Sequence, residues 1–164
     1  MLMNTLTTPD TPISPHSQAT APDPFASRYG RSLPSPLRAE AAGMTWTAFA
    51  DTYAPTTGPI RLGNWTASAA PQDLLHCRAT IAAGDVIRSL SATATGAIGA
   101  LTDMLYRLGA GVEIVSLHQY DFTGGVATFL LCERDDRRTW AMGNGRTGQE
   151  SALSALIAAA NRLY

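Results

Sequence analysis

The histidines are the first side chains of this chain to consider as metal ligands or acid–base catalysts. His16, His76 and His118 lie far apart, and none has a second histidine two or four positions away, the spacing that holds a metal on a strand or helix. The adjacent carboxylates Asp135 and Asp136 are surrounded by three arginines, which indicates a self-neutralised turn. Serine-hydrolase, Walker and dinucleotide-binding motifs are absent. We therefore expect no catalytic residues, no metal site, no cofactor and no enzyme activity.

Two turns that precede predicted helices are the remaining places where chemistry is conceivable. Residues 93–97 and 143–147 combine small side chains with the start of a helix. The free N–H groups and positive dipole end of a helix N-terminus can receive a carboxylate, so an amino acid bound there would be a natural effector. The residues alone favour the plainer interpretation, in which the glycines only permit the turn from strand to helix.

These two turns belong to a unit that occurs twice. Residues 59–109 and 111–164 each contain two extended apolar runs, a shorter third run, a glycine-bearing turn and an Ala/Leu-rich amphipathic helix. The patterns predict strands at 60–69, 75–83, 86–92, 112–122, 126–133 and 139–142, and helices at 96–108 and 149–163. The sequence thus predicts an α+β fold of two βββα repeats related by pseudo-two-fold symmetry, each helix packed on its sheet.

The segment before the repeats is predicted to be a flexible arm and one short helix. Residues 1–42 are expected to form the arm, because their first half is rich in Pro, Thr and Ser and cannot bury enough surface to offset its ordering entropy. Phe25 and Leu37 are among the side chains that could clamp it to a neighbouring surface. Thr45 and Pro55 bound a helix at 45–53, within a linker at 43–57. We expect its apolar face to pack on the core and cover one end of the domain. A contact with a partner is the alternative.

Composition excludes several functional classes. Of the 164 residues, 45% are hydrophobic and 15% charged, and a net charge of -1 provides no basic surface for nucleic acid. No apolar run reaches the length of a membrane helix, and the N-terminus does not resemble a signal peptide, so we expect a cytoplasmic protein. Cys77 and Cys132 are expected at matching places in the two repeats, as reduced core thiols rather than a disulfide.

Several segments of the chain occur in the same order in a known family. They are 44–53 (MTWTAFADTY), 58–62 (GPIRL), 96–101 (GAIGAL), 140–143 (WAMG) and 161–163 (NRL), together with Leu153 and Ala155. With them, residues 43–164 resemble the C-terminal regulatory, or dimerisation, region of 2-isopropylmalate synthase, the first committed enzyme of leucine biosynthesis. Residues 33–40 resemble the stretch where that enzyme's linker leaves its catalytic barrel.

The resemblance implies a homodimer in which leucine, the feedback inhibitor, binds between the βββα units near the dimer interface. Two features depart from the family: the first turn, 91–97, keeps a single glycine, and Leu117 stands where the family commonly has a tyrosine. Carried over by position, the effector-lining candidates are Gly96, Ile98, Ile114, Leu117, Gly143 and Asn144.

The resemblance does not extend to the family's catalytic barrel, whose metal-binding residues have no counterpart in this chain. We therefore expect a non-catalytic regulatory module that binds leucine or a related branched-chain amino acid, forms a homodimer and acts on a full-length synthase. The alternative is a structural dimerisation or docking partner of such a synthase that binds no ligand. An enzyme with an unrecognised active site is a third hypothesis. No nucleic acid or membrane is expected as a partner.

Overall fold

The computed structural model describes residues 20–164, which form an α+β fold with two antiparallel three-stranded sheets. Three short helices come first: α1 (Pro24–Tyr29), α2 (Ser35–Glu40) and α3 (Trp46–Tyr53). The first repeat contains β1 (Ile60–Ala70), β2 (Leu74–Ala83), β3 (Val86–Ala94) and α4 (Ala97–Arg107). The second contains β4 (Glu113–Phe122), β5 (Gly125–Arg134), β6 (Arg137–Gly145) and α5 (Gly148–Leu163). Among the described residues, no helix is both long and apolar enough to cross a membrane.

The repeat predicted from the sequence is confirmed, and strand pairing fixes its alignment. Ala83 faces Val86 where the first hairpin closes, and Arg134 faces Arg137 where the second closes. Both pairs differ by a shift of 51 positions (83 to 134 and 86 to 137). Each first strand also carries an irregularity in its pairing near its start. The two units therefore correspond residue by residue through their second strands, third strands and helices.

The third strands are longer than expected, and this corrects the interpretation of one turn. Gly143 and Asn144 lie within β6 rather than in a turn before the helix. At Gly143, α5 approaches β6 closely: a Cβ on this residue would collide with the backbone of Ser151 and Ala155. Glycine is thus required here for helix–strand contact, which hydrophobic periodicity does not reveal.

The described residues have two hydrophobic clusters. The inter-unit cluster joins the inner faces of both sheets to α4 and α5, with Ile81, Leu101 and Leu156 fully buried. The N-terminal cluster lies on the outer face of the second sheet, where Phe25 and Phe129 pack beneath α1–α3. The second sheet is therefore covered on both faces.

The part of the expected arm that the structure describes, residues 20–42, is helical and packed. Asp23 is the N-cap of α1: its Oδ1 accepts hydrogen bonds from the backbone N–H groups of Phe25 and Ala26, each 2.9 Å long, and its Oδ2 accepts one from Leu33 at 2.8 Å. Phe25, Leu33 and Leu37 are buried. Their burial against the sheet supplies the free energy that a Pro-rich composition lacks elsewhere. The remainder of the expected arm, residues 1–19, lies outside the described residues.

The cysteines do not occupy matching places, so that expectation was wrong. Cys77 of β2 corresponds to Thr128 of β5 by the shift between the repeats, and Cys132 corresponds to Ile81. Both thiols are free and buried in different sheets. Burial raises the pKa of both thiols, to about 12 for Cys132. A thiol held in its protonated form is a poor nucleophile and metal ligand.

Tyr53 joins the N-terminal helices to α5. Its hydroxyl donates a hydrogen bond to Glu40 Oε1 at 2.8 Å, and the Arg162 guanidinium lies 4.9 Å from its ring centroid. Burial, and then the hydrogen bond and charge of Glu40, raise the pKa of Tyr53 from 10.0 to about 12, against the opposing effect of Arg162. The folded state therefore favours the neutral phenol.

We predict that this site loses stability in alkali. Because the folded pKa lies above the unfolded one, the contribution of Tyr53 is full below pH 10 and is lost as the pH rises towards 12. Wild type should lose on the order of 1–2 kcal/mol more than Tyr53→Phe over this interval, less than the full shift because water reaches Glu40. Urea unfolding at each pH measures the difference. Tyr106→Phe, at an exposed ring, is the control, and equal losses for all three proteins would contradict the prediction.

Candidate functional site

A groove of about 730 Å³ lies where α3, β1 and α5 meet. We call it the β1–α5 groove. Its walls are mainly apolar: Leu62 and Trp65 come from β1, Leu153 and Ile157 from α5, and Trp46 from α3. Its volume falls within the range of about 300–1,000 Å³ that is typical of small-molecule sites. The groove is the most suitable concave place for a ligand that we find in the described part of the chain.

Polar groups lie at the exposed rim of the β1–α5 groove. Thr147 caps α5 by accepting a hydrogen bond from the Glu150 N–H at 3.1 Å, and Glu150 Oε2 accepts one from the Arg146 N–H at 2.9 Å. The Glu150 carboxylate is thus engaged in capping. Arg61 forms no ion pair with any residue in the described range. Arg61 is therefore the basic residue of this groove that is free to pair with a ligand, and Glu150 keeps its negative charge nearby.

Asn161 fixes β1 against α5 and so sets the width of the groove. Its Oδ1 accepts a hydrogen bond from the Ile60 N–H and its Nδ2 donates one to the Ile60 carbonyl, both at 2.8 Å. Gly58 lies beside this amide with φ +152, and a Cβ there would collide with the Asn161 side chain. The paired amide hydrogen bonds hold the strand and helix in one register across the two repeats.

The structure divides the six predicted effector residues between two places. Gly143 and Asn144 line the β1–α5 groove. The other four do not line it: Gly96, Ile98, Ile114 and Leu117. Gly96 is the N-cap of α4, Ile98 is in its first turn, and the other two residues lie on β4.

The two places correspond to each other through the repeat. In β4, Ile114 faces Cys132 and Leu117 faces Leu130. In β1, the residues that face the equivalent positions of β2 are Leu62, opposite Ile81, and Trp65, opposite Ala79. Leu62 and Trp65 of the groove are therefore the counterparts of Ile114 and Leu117. We give the name β4–α4 face to the four predicted residues that lie on these two elements: Gly96 and Ile98 at the start of α4, and Ile114 and Leu117 on β4.

The β4–α4 face is more exposed than the groove. Leu117 is 44% exposed and its neighbour Val115 is 46% exposed, although both are apolar. Ile98 and Ile114 are half-buried against the inter-unit cluster. Within the described residues, β4 is an edge strand whose free side pairs with no other strand. The face therefore presents an apolar edge to solvent.

A buried polar cluster at the start of α5 was not anticipated from the sequence. Thr128 and Ser151 are fully buried with their hydroxyls 2.6 Å apart, and Gln119 Nε2 donates to Thr128 Oγ1 at 2.9 Å and to the Gly148 carbonyl at 2.9 Å. The counterparts of Thr128 and Ser151 in the first repeat are Cys77 and, by the same shift, Ala100. If the two repeats are aligned at the turn between their second and third strands, the sequence shows that polar residues of the second repeat stand where the first has Cys77 and Ala100.

Comparison with known proteins adds one relative. No family model matches the chain. The chain is similar to part of a 2-isopropylmalate synthase. That enzyme, from Renibacterium salmoninarum, is 26% identical over 133 residues, which cover 74% of this chain and 23% of the synthase. The chain thus spans about a quarter of the length of the curated relative it matches. The similarity supports a relation to a regulatory domain in general.

Proposed function

We propose that this chain is a non-catalytic regulatory and dimerisation module of the 2-isopropylmalate synthase type, which binds leucine or a related branched-chain amino acid. The observation that carries the proposal is the duplicated βββα unit, in which each three-stranded sheet is followed by a helix. The partial similarity to a 2-isopropylmalate synthase supports it. The described residues form two antiparallel sheets, whereas a (β/α)₈ barrel needs about 250 residues and eight parallel strands.

The β4–α4 face offers the groups that a branched-chain amino acid requires. Ile98, Ile114 and Leu117 supply aliphatic surface for the side chain. Gly96 leaves space at the start of α4, since a Cβ there would meet nothing within 4 Å. The free N–H groups of this 11-residue helix favour a carboxylate at that point. Gly143 and Asn144, the other two candidates, line the β1–α5 groove instead.

The same face is suited to a second copy of the chain. The apolar side chains of Val115 and Leu117 lie on the unpaired edge strand β4, and exposed edges of this kind are usually covered by another element or chain. Pairing of two copies about a two-fold axis would cover both edges with the same contacts. A full-length synthase that carries the same kind of region is the other partner we propose.

Isothermal titration calorimetry tests the sensing part of the proposal. We expect saturable binding of at least one of leucine, isoleucine, valine and their keto acids, and loss of that binding in Leu117→Asp. Ile87→Asp is the matched control, because Ile87 is a 71% exposed apolar residue of β3 that belongs to neither site, and it should bind as wild type does. No heat with any of these ligands at millimolar concentration would overturn the proposal.

A structural partner without a ligand is the second candidate, and the exposed apolar edge of β4 favours it because that edge needs only another chain to cover it. It predicts a dimer, or a complex with a full-length synthase, that no branched-chain ligand strengthens. Multi-angle light scattering with and without leucine separates the two candidates. Assembly that depends on the ligand would exclude the purely structural role.

A further inference from the structure

The β1–α5 groove has features that the branched-chain proposal does not use. Its volume of about 730 Å³ and its mainly apolar walls suit a small organic ligand. Two of the three tryptophans, Trp46 and Trp65, line it from separate elements, whereas Trp140 packs in the N-terminal cluster. Indole faces in a concave site are well suited to stack against a planar aromatic group.

Two polar groups at the groove lack partners. The indole Nε1 of Trp65 is buried and has no hydrogen-bond acceptor among the described residues. An N–H left in this state costs about 1–3 kcal/mol. The guanidinium of Arg61 lies at the rim without an ion pair from the described part of the chain. A carboxylate would pair with Arg61.

We propose that the β1–α5 groove is a second ligand site, which binds an aromatic carboxylate such as an aromatic amino acid or its keto acid. The aromatic ring lies against the indoles of Trp46 and Trp65, between the aliphatic side chains of Leu62 and Ile157. The carboxylate lies at the rim and pairs with Arg61. This site does not depend on the β4–α4 face, so either proposal stands if the other fails.

The tryptophans allow the site to be tested directly. In protein labelled with 5-fluorotryptophan, fluorine NMR gives one signal for each of the three indoles, assigned by single Trp→Phe variants. Titration with L-phenylalanine and with phenylpyruvate should shift the Trp46 and Trp65 signals saturably and leave the Trp140 signal in place. The two probes show whether the ammonium group contributes. Leucine at the same concentration should shift these two signals much less.

A pair of arginine variants tests the position of the carboxylate. Arg61→Met should weaken binding of both probes by about fivefold, the upper value for an exposed ion pair. Arg88→Met is the matched control, because Arg88 is an exposed arginine on β3 of the same sheet and does not line the groove. It should leave the affinity unchanged. Equal affinities in the two variants would overturn the assignment of Arg61.

Three results would overturn the proposal as a whole. The first is no shift of the Trp46 and Trp65 signals with either probe at 10 mM, a concentration about 100 times a Kd of about 100 μM. The second is an equal shift of all three signals, which indicates non-specific binding. The third is a change of the Trp46 and Trp65 signals with protein concentration, or on removal of residues 1–19, without any added ligand. A dependence on protein concentration would show that a second copy of the chain fills the groove. A change on removal of residues 1–19 would show that those residues fill it.

Discussion

Replacing Gly143 by alanine is expected to destabilise the protein by about 3 kcal/mol or more. The added Cβ would collide with backbone atoms of Ser151 and Ala155, which belong to α5 and cannot move aside as a flexible side chain can. Either β6 or α5 must shift, and the inter-unit cluster beneath them would lose packing. The free energy of unfolding, measured by urea denaturation with tryptophan fluorescence, gives the result.

Gly99→Ala is the matched control for this substitution. Gly99 lies within α4, and a Cβ there would be 3.4 Å from the Ala94 side chain, an ordinary contact. Alanine is the better helix former, so this variant should be neutral or stabilised by up to about 1 kcal/mol. A loss below about 1 kcal/mol for Gly143→Ala would contradict the close approach of α5 to β6.

Replacing Phe25 by alanine is expected to cost about 3–5 kcal/mol. Its ring is fully buried and makes edge-on contact with Phe129, with the ring centroids 5.1 Å apart, and a tilted contact with Tyr29 at 4.9 Å. The truncation therefore removes the anchor that holds α1 on the second sheet. Urea unfolding followed by both fluorescence and circular dichroism should show a single transition at lower urea concentration.

Ile87→Ala is the control for the Phe25 variant, because this side chain is 71% exposed and its truncation should change stability by no more than about 0.5 kcal/mol. A loss as small as this in Phe25→Ala would show that α1 does not stabilise the domain. Residues 20–42 would then behave as the flexible arm that composition predicts.

The repeats could be predicted from the sequence because their signals are local. In β2, Cys77, Ala79 and Ile81 alternate with polar neighbours, and all three are buried. The sequence of α5 shows an apolar stripe, and Thr147, its N-cap, is a residue type that favours this position.

The first two helices, α1 and α2, were missed because proline was interpreted only as a helix breaker. Pro24 is the first residue of α1 and follows the Asp23 N-cap, a position where proline's fixed φ is favourable and its missing N–H costs nothing. The buried Phe25 then supplies the tertiary contact that makes six residues helical. A helix this short has no intrinsic stability that a sequence pattern could report.

The candidate site was predicted only in part, because ligand surfaces depend on elements distant in sequence. Gly143 and Asn144 line the β1–α5 groove, but Trp46 and Trp65 join them only through the packing of α3 and β1 on α5. The counterpart relation between Trp65 and Leu117 became visible only from strand pairing. The roles of all six candidates as effector-lining residues stay predictions: Gly96, Ile98, Ile114, Leu117, Gly143 and Asn144.

We propose a dimeric module that responds to a branched-chain amino acid. Native mass spectrometry of the full chain, recorded with and without leucine, isoleucine or valine, tests it most directly because it reports assembly and ligand occupancy in one spectrum. We expect a dimer that carries bound ligand with at least one of these amino acids. A chain that stays monomeric, or a dimer that binds none of them, would contradict it.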